Sequence, residues 1–408
     1  MKIIVLGAGV TGLSIGRLLS RDHEVTILEQ DSRIGGIAKT RQINGITYHP
    51  VGGHCFNSKY PEIMSFVFSI LPEKEWHKVS RLSKINLGSY EVDYPIEFSI
   101  QQIYRHDKEL AYEIIQDFLN VQDDGQYSNL EMWFRKKFGN RLCDLYFIPY
   151  NTKIWGRKPS EMSHDWVKDK LPIPNKQAFM DGLIAPVKDT MPHSWFYYPN
   201  TNDQGTMLEA LANGLHIETN TAVTQIAKQN DTWLVNGKYR ADMVISTIPL
   251  NILPSLITGV PDSVIKSARK LKYNKVSNVL WESRPTTKTW SYQPLAETIF
   301  HRYIHIGSFF HPVKSYTITE AIGERSYEEM VACGKKDPFL IKPLDYNVSD
   351  HAYVVFDENR DAALRHIQSY LKQIGLVSIG RFGQWEYFNM DVCMQQSHDL
   401  YCQITKKQ

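Results

Sequence analysis

The chain has 408 residues, 42% of them apolar and 22% charged, with a formal net charge of +2. That length suits two or three domains rather than one small core, and the composition is that of an ordinary globular protein. A net charge so near zero excludes the basic excess that nucleic-acid binding wants.

Lys2–Leu6 (KIIVL) is a short apolar, β-branched run and predicts a buried parallel strand. Glycines follow, then Leu13–Ser20 at helical spacing, then a second strand over Glu24–Leu28 (EVTIL). Together they make a β-α-β unit of about 30 residues, the size of a first crossover in a doubly wound sheet. Gly7-Ala8-Gly9-Val10-Thr11-Gly12 fits G-x-G-x-x-G, and it sits after a strand and before a helix, the context its mechanism requires. Gly7 allows the tight turn, Gly9 lets the backbone approach a pyrophosphate, and Gly12 lets helix and strand pack closely. The helix N-terminus offers unpaired N–H groups to phosphate charge. Glu29, where the second strand ends, is placed to accept hydrogen bonds from a ribose diol, against the plainer reading of a solvated acid.

The glycines at 7, 9, 12 and 16 interrupt the apolar start too often for a signal peptide, and no apolar stretch of about 18 residues suggests a membrane span. Further on, Ile100–Leu119 and Asn129–Leu145 read as helices. Trp155–Pro199, rich in Pro, Lys, Asp and Trp, reads as loops and short helices containing a mobile, substrate-closing loop. Strand character returns at His216–Ile217, Ala222–Ala227, Trp233–Val235 and Met243–Ile248, and a last short strand covers Val377–Ile379. Residues 262–345 mix strands and loops. Cys55, Cys143, Cys333, Cys393 and Cys402 are scattered and odd in number, which argues against a disulfide scaffold or a zinc site and suggests a reducing, cytoplasmic setting. No metal site is expected.

Arg33-Ile34-Gly35-Gly36 follows Glu29, and the span Glu29–Gly36 resembles the extended fingerprint of FAD enzymes. Four further stretches resemble the UDP-galactopyranose mutase family, within the clan of amine oxidases and protoporphyrinogen oxidases. They are Tyr48-His49-Pro50-Val51-Gly52-Gly53-His54-Cys55-Phe56; Tyr94-Pro95-Ile96; Tyr150-Asn151-Thr152-Lys153-Ile154-Trp155-Gly156 with Leu171-Pro172; and Gly380-Arg381 with Glu386-Tyr387-Phe388-Asn389-Met390. The resemblance implies an FAD-dependent isomerase that contracts the pyranose ring of a nucleotide sugar to a furanose, for cell-surface polysaccharide or lipopolysaccharide synthesis. In that family N5 of the reduced flavin is the nucleophile at the anomeric carbon, and the nucleoside diphosphate leaves and returns.

The implied fold is α/β: a Rossmann-type FAD-binding domain, an inserted helical domain and a mixed or antiparallel β-sheet substrate domain. The implied layout is FAD-binding over 1–95, a helical insertion over 96–165, and a mobile loop and return over 166–210. FAD-binding resumes over 211–250, the substrate sheet covers 251–360, and a last FAD-binding segment covers 361–408. The resemblance gives FAD the company of Gly7, Gly9, Gly12, Glu29, Gly35, Gly36, Gly53, His54, Val223, Arg381 and Met390. It gives the substrate Tyr150, Trp155, Lys170, Arg302, Tyr353, Tyr387 and Asn389, with Arg302 and Lys170 clamping the diphosphate and His54 beside the flavin. Tyr150 and Trp155 also read as core aromatics, and Lys170 as a surface cation. Lys170 and Asn389 stand where the family has Arg and Asp; a Lys offers a point charge without a fork, and an Asn loses the charge. Two other readings remain. One is an oxidoreductase of the amine oxidase or protoporphyrinogen oxidase type, which the Pro199–Gly205 turn resembles more closely. The other is a flavin-binding protein without turnover. A homodimer is compatible with all three.

Overall fold

In the computed structural model, which describes residues 1–167, 171, 173–184 and 194–406, Lys2–Leu6 and Glu24–Leu28 form parallel strands. Ile3 lies opposite Val25 and Val5 opposite Ile27. Met243–Ser246 and then Val377–Ser378 extend the sheet on one side, and His216–Glu218 closes the other, giving five parallel strands. Their apolar runs follow from burial on both faces. The helix between the first two strands begins at Val10, not Leu13, because Gly9 is already its extended N-cap. The C-terminal helix Met390–Thr405 packs against it, and Ser397 Oγ donates to the Thr11 carbonyl at 3.2 Å.

Several elements depart from the periodicity reading. The helix expected over Ile100–Leu119 is two helices, Ile100–His106 and Lys108–Asn120. Asp107 breaks it: its backbone is extended and its carboxylate accepts from Leu110 N–H at 3.0 Å, an N-cap bond. The next helix stops at Phe138, where Gly139 turns at φ +80°, and helical turns resume from Asn140, widen over Cys143–Phe147 and run to Trp155. Trp195–Pro199 (WFYYP) is not loop but a strand, antiparallel to Trp76–Ser80. Ala222–Ala227 is strand only from Ile226, within a three-stranded meander. Its tight Asn230-Asp231 turn, both residues at positive φ, is the primed geometry that suits strand twist.

The second sheet has seven strands, in the order Leu340–Val354, Tyr273–Ser283, Tyr316–Ile322, Arg302–Ile304, Trp290–Tyr292, Ser83–Asn86 and Glu91–Asp93. The last two come from the stretch 1–95, which the sequence assigned wholly to cofactor binding. All pairings are antiparallel except Trp290–Tyr292 with Ser83–Asn86. Register aligns one row across five strands: Asn347, Asn278, Glu320, Arg302 and Tyr292. Residues paired in this way share a face of the sheet. The row is polar although Asn278 and Glu320 are each 1% exposed, so its members must satisfy one another. Asn278 Nδ2 donates to Glu320 Oε1 at 3.0 Å.

The helices between 100 and 155 pack on this same face through a large aromatic core that includes Trp133, Phe134, Phe138 and Phe147. That core takes in Val276, Leu280, Ile304 and Ile318, each two residues from a member of the row. On the other face Val279, Trp281, Tyr303 and Ala321 pack with Met330 and Val331 of the Tyr327–Gly334 helix. The hairpin of Arg41–Ile43 and Ile46–Tyr48 is bonded to the Leu340–Val354 edge strand of this sheet. Arg41 donates to Asp345 at 2.9 Å and Asn347 at 3.0 Å, and Tyr48 donates to Asp345. Among the described residues no helix is long and apolar enough to cross a membrane.

Candidate functional site

A cavity of about 1000 Å³ runs between the two sheets. That is the upper end of the range for small-molecule sites, room for more than one ligand group. One end is the glycine turn. Gly7 sits at φ +99°, and a Cβ there would meet Thr247 Oγ1 at 2.4 Å. A Cβ on Gly12 would lie 1.9 Å from the Gly7 carbonyl oxygen, so Gly12 does not line the cavity but lets the helix close on the turn. Gly35 and Gly36 have φ +111° and +56°, and a Cβ on Gly36 would stand 3.2 Å from the Gly9 Cα. Two backbones meet there without side chains.

The Val10–Leu19 helix has no side-chain cap, and its first residues, Val10 and Thr11, line the cavity. The C-terminal helix also begins without a side-chain cap, at Asn389 and Met390, which line the cavity. Glu29 lies on the wall beside the turn, its two oxygens accepting from Ala8 N–H at 2.7 Å and Asp31 N–H at 2.9 Å. Val223 lines the same end. Two uncapped helix starts, a side-chain-free cradle and an oriented carboxylate fit a dinucleotide: phosphate at the helix ends, ribose at Glu29.

The other end is built on the polar row. Arg302 is ion-paired to Glu320 through Nε and donates from Nη2 to Tyr353 OH at 2.7 Å. Burial alone would push the Glu320 carboxyl upward, but Arg302 and His301 beside it hold it well below the usual carboxylate range. Burial also disfavours the Arg302 charge, and Glu320 with Tyr353 more than offsets this. Arg302 thus stays a fixed cation. Tyr353 and Tyr387 stack with ring centroids 5.9 Å apart. The Arg381 guanidinium lies 4.5 Å from the Tyr387 centroid and donates to the carbonyls of Phe388 and Ala352 at 3.0 and 2.9 Å. Its Nε has no acceptor among the described residues. His54 lies between these groups and Gly53; burial, then the charge of Arg381, pushes its imidazole down to about 4, so it is neutral at neutral pH.

The cavity therefore gathers Gly7, Gly9, Gly35, Gly36, Glu29, Gly53, His54, Val223, Arg302, Tyr353, Arg381, Tyr387, Asn389 and Met390. Two expected substrate contacts are not on its wall. Tyr150 is buried, stacked on Tyr146 at 5.2 Å and edge-on to Tyr292 at 5.5 Å. Trp155 is buried behind Tyr353 and Tyr387, with Nε1 donating to Asn151 at 3.1 Å. Both lie on the buried face of the Ile148–Trp155 helix and support the wall. Lys170 and Pro172 lie outside the described residues, as do residues 168–169 and 185–193 of the stretch in which the closing loop was expected. Sequence reasoning missed Glu320, Arg81, Trp290 and Tyr292, all on the cavity wall. For Glu320 a signal existed: one acid inside an otherwise strand-forming run, Tyr316–Ile322. For Arg81, in a polar stretch, there was none.

Three comparisons bear on this site. A family model described as flavin containing amine oxidoreductase matches residues 10–296. The dTDP-fucopyranose mutase of Escherichia coli is 26% identical over 179 residues, covering 42% of this chain and 46% of that protein. Protoporphyrinogen oxidase 2 of Arabidopsis thaliana is 25% identical over 174 residues, covering 40% of this chain and 34% of that one. The chain thus spans less than half the length of these curated relatives in the matched regions. Among solved structures, reduced UDP-galactopyranose mutase superposes with a TM-score of 0.86 at 20% identity, covering 100% of this chain and 96% of that one. The fold is shared with that enzyme.

Proposed function

The chain belongs to the flavin containing amine oxidoreductase family, and from that premise we propose that it is an FAD-dependent mutase that interconverts the pyranose and furanose rings of a nucleotide sugar. The observation that carries this reading is a fixed guanidinium, Arg302, held by Glu320 and Tyr353 in the same cavity as the dinucleotide cradle. An oxidase acting on an amine or a porphyrinogen has no leaving diphosphate to hold. A mutase does, and must keep it close enough to return.

In this reading FAD, bound in its reduced form, supplies the nucleophile for the anomeric carbon. The protein's part is to bind, orient and exclude water. Arg302 receives the departing diphosphate with its remaining N–H groups, and the phenols of Tyr353 and Tyr387 add donors without further buried charge. Glu320 fixes the guanidinium before the substrate arrives, so little reorganisation is needed as charge develops. Neutral His54 adds no competing charge at the sugar. Arg381, bonded to backbone carbonyls rather than to a carboxylate, leaves its positive charge available to a reduced, anionic flavin. Asn389 presents an amide where the resemblance expects an acid, which points to a sugar other than galactose. The dTDP-linked substrate in the name of the Escherichia coli relative makes deoxysugars the first to try.

The second reading, an oxidoreductase, is favoured by the match to protoporphyrinogen oxidase 2. One experiment separates them. The FAD-loaded protein is reduced with dithionite, incubated with UDP- and dTDP-linked hexopyranoses, and the products are chromatographed. Furanose should appear only with reduced protein. No furanose from any sugar, together with flavin reduction by an amine or a porphyrinogen, would overturn the mutase.

A further inference from the structure

Arg81 precedes the Ser83–Asn86 strand, at the far edge of the polar row from Asn347. Its guanidinium lines the cavity, partly buried, 5.0 Å from the Trp290 ring centroid and 5.8 Å from that of Tyr94. Nε donates to Ser83 Oγ at 3.1 Å and Nη2 to Tyr292 OH at 2.8 Å. No carboxylate pairs with it among the described residues, and Nη1 has no acceptor there. Arg302 and Arg41, on the same wall, each have an acid partner. Trp290 Nε1 also has no acceptor among the described residues. It lies close to the cavity-lining backbone, 3.5 Å from where a Gly53 Cβ would stand.

A guanidinium withdrawn from water with only hydroxyls and ring faces for company is costly unless something else satisfies it. Its Nη1 keeps two hydrogens to donate to an oxygen-bearing group. The ring faces around it set the plane of whatever binds. Tyr292 links this cation to Arg302, which is its direct cross-strand neighbour. The two guanidiniums are therefore held on one rigid sheet face.

We propose that Arg81 and Trp290 form a second subsite of the cavity, which takes a negatively charged or carbonyl oxygen of the bound molecules. Two sources offer that chemistry: a phosphate oxygen of the nucleotide sugar, or the carbonyl edge of the flavin ring. The inference deepens the proposed function and rests on it only for the nature of the substrate.

The test uses the FAD-loaded full chain with Arg81→Met, Arg81→Lys and Trp290→Phe. One arm measures binding of UDP, UDP-galactose and pyrophosphate by flavin fluorescence. The other measures FAD content, the flavin midpoint potential and sulfite affinity. If the oxygen is the substrate's, Arg81→Met weakens nucleotide binding about tenfold or more with the potential unchanged. If it is the flavin's, the potential falls and sulfite affinity drops about tenfold, with nucleotide binding unchanged. In either case Arg81→Lys restores part of the loss and Trp290→Phe shows a smaller one. Should Arg81→Met fail to fold, Arg81→Lys and Trp290→Phe carry the test. All readouts within twofold of the parent protein would overturn the subsite. Neither arm depends on furanose being formed, so the subsite and the mutase reading stand or fall separately.

Discussion

Arg302 and Glu320 are a buried ion pair placed where reaction charge would develop. Such a pair contributes little to stability against an apolar alternative, while breaking it costs about 3–5 kcal/mol because a charge is left alone. Retaining it makes sense when the cation is needed. Arg302→Ala should reduce turnover at least about a hundredfold, with FAD content, read from the absorbance near the flavin maximum, unchanged. Because that variant strands Glu320, Arg302→Lys is the companion: it keeps the charge, loses the fork, and should fold yet lose turnover. Parallel loss of flavin and activity in both would show that Arg302 serves the cofactor and not the leaving group.

His305 shows what burial does away from the site. It is 1% exposed, bonded to Ser291 at 2.9 Å and Thr317 at 3.0 Å. Burial, with a smaller push from Lys288, lowers it to about 3. The unfolded chain's imidazole takes its proton below about pH 6.5, while the folded one stays neutral until about pH 3. The unfolded state therefore binds more protons throughout that window, and folding stability falls as pH drops from 6.5 toward 3. At pH 5 this one residue accounts for about 2 kcal/mol. His305→Gln should flatten the slope of stability against pH below 6.5, measured by urea unfolding at several pH values. An unchanged slope would mean that His305 is protonated in the folded state.

At the scale of elements, legibility in the sequence followed burial. Lys2–Leu6 and Glu24–Leu28 could be read to the residue because strands buried on both faces need uninterrupted apolar runs. The glycine turn was legible because Gly7 and Gly12 leave no room for a Cβ. The seven-stranded sheet was not. Three of its strands, Arg302–Ile304, Trp290–Tyr292 and Glu91–Asp93, have only three residues each, too few to show a period. The break at Asp107 was hidden because apolar positions in the two helices, Ile103 and Ala111 among them, continue to mimic one helical stripe. Arg302, Tyr353 and Tyr387 entered through resemblance, and the partner that fixes Arg302 came only from cross-strand register, which joins residues 18 apart. The aromatic pair Tyr150 and Trp155 shows the opposite error: a motif at the right spacing whose side chains form the backing of the wall.

At the scale of the whole molecule, the cavity wall runs from Gly7 to Cys393 and draws residues from both sheets. A dinucleotide lying there would touch the parallel sheet, both uncapped helices and the seven-stranded sheet at once. Binding to the folded chain alone must then stabilise all of them together. At free FAD one hundredfold above its dissociation constant the gain is about 2.7 kcal/mol. In a chain of this size that is a rise of a few degrees in melting temperature. Gly12→Ala supplies the control, because its Cβ would lie 1.9 Å from the Gly7 carbonyl oxygen and must open the turn. The melting temperature of the parent protein, stripped of flavin, should climb with added FAD and go on rising with the logarithm of its concentration. That of Gly12→Ala should stay flat over the same range. If both climb alike, the dinucleotide binds without the glycine turn. If neither climbs, the cavity between the sheets holds something other than FAD.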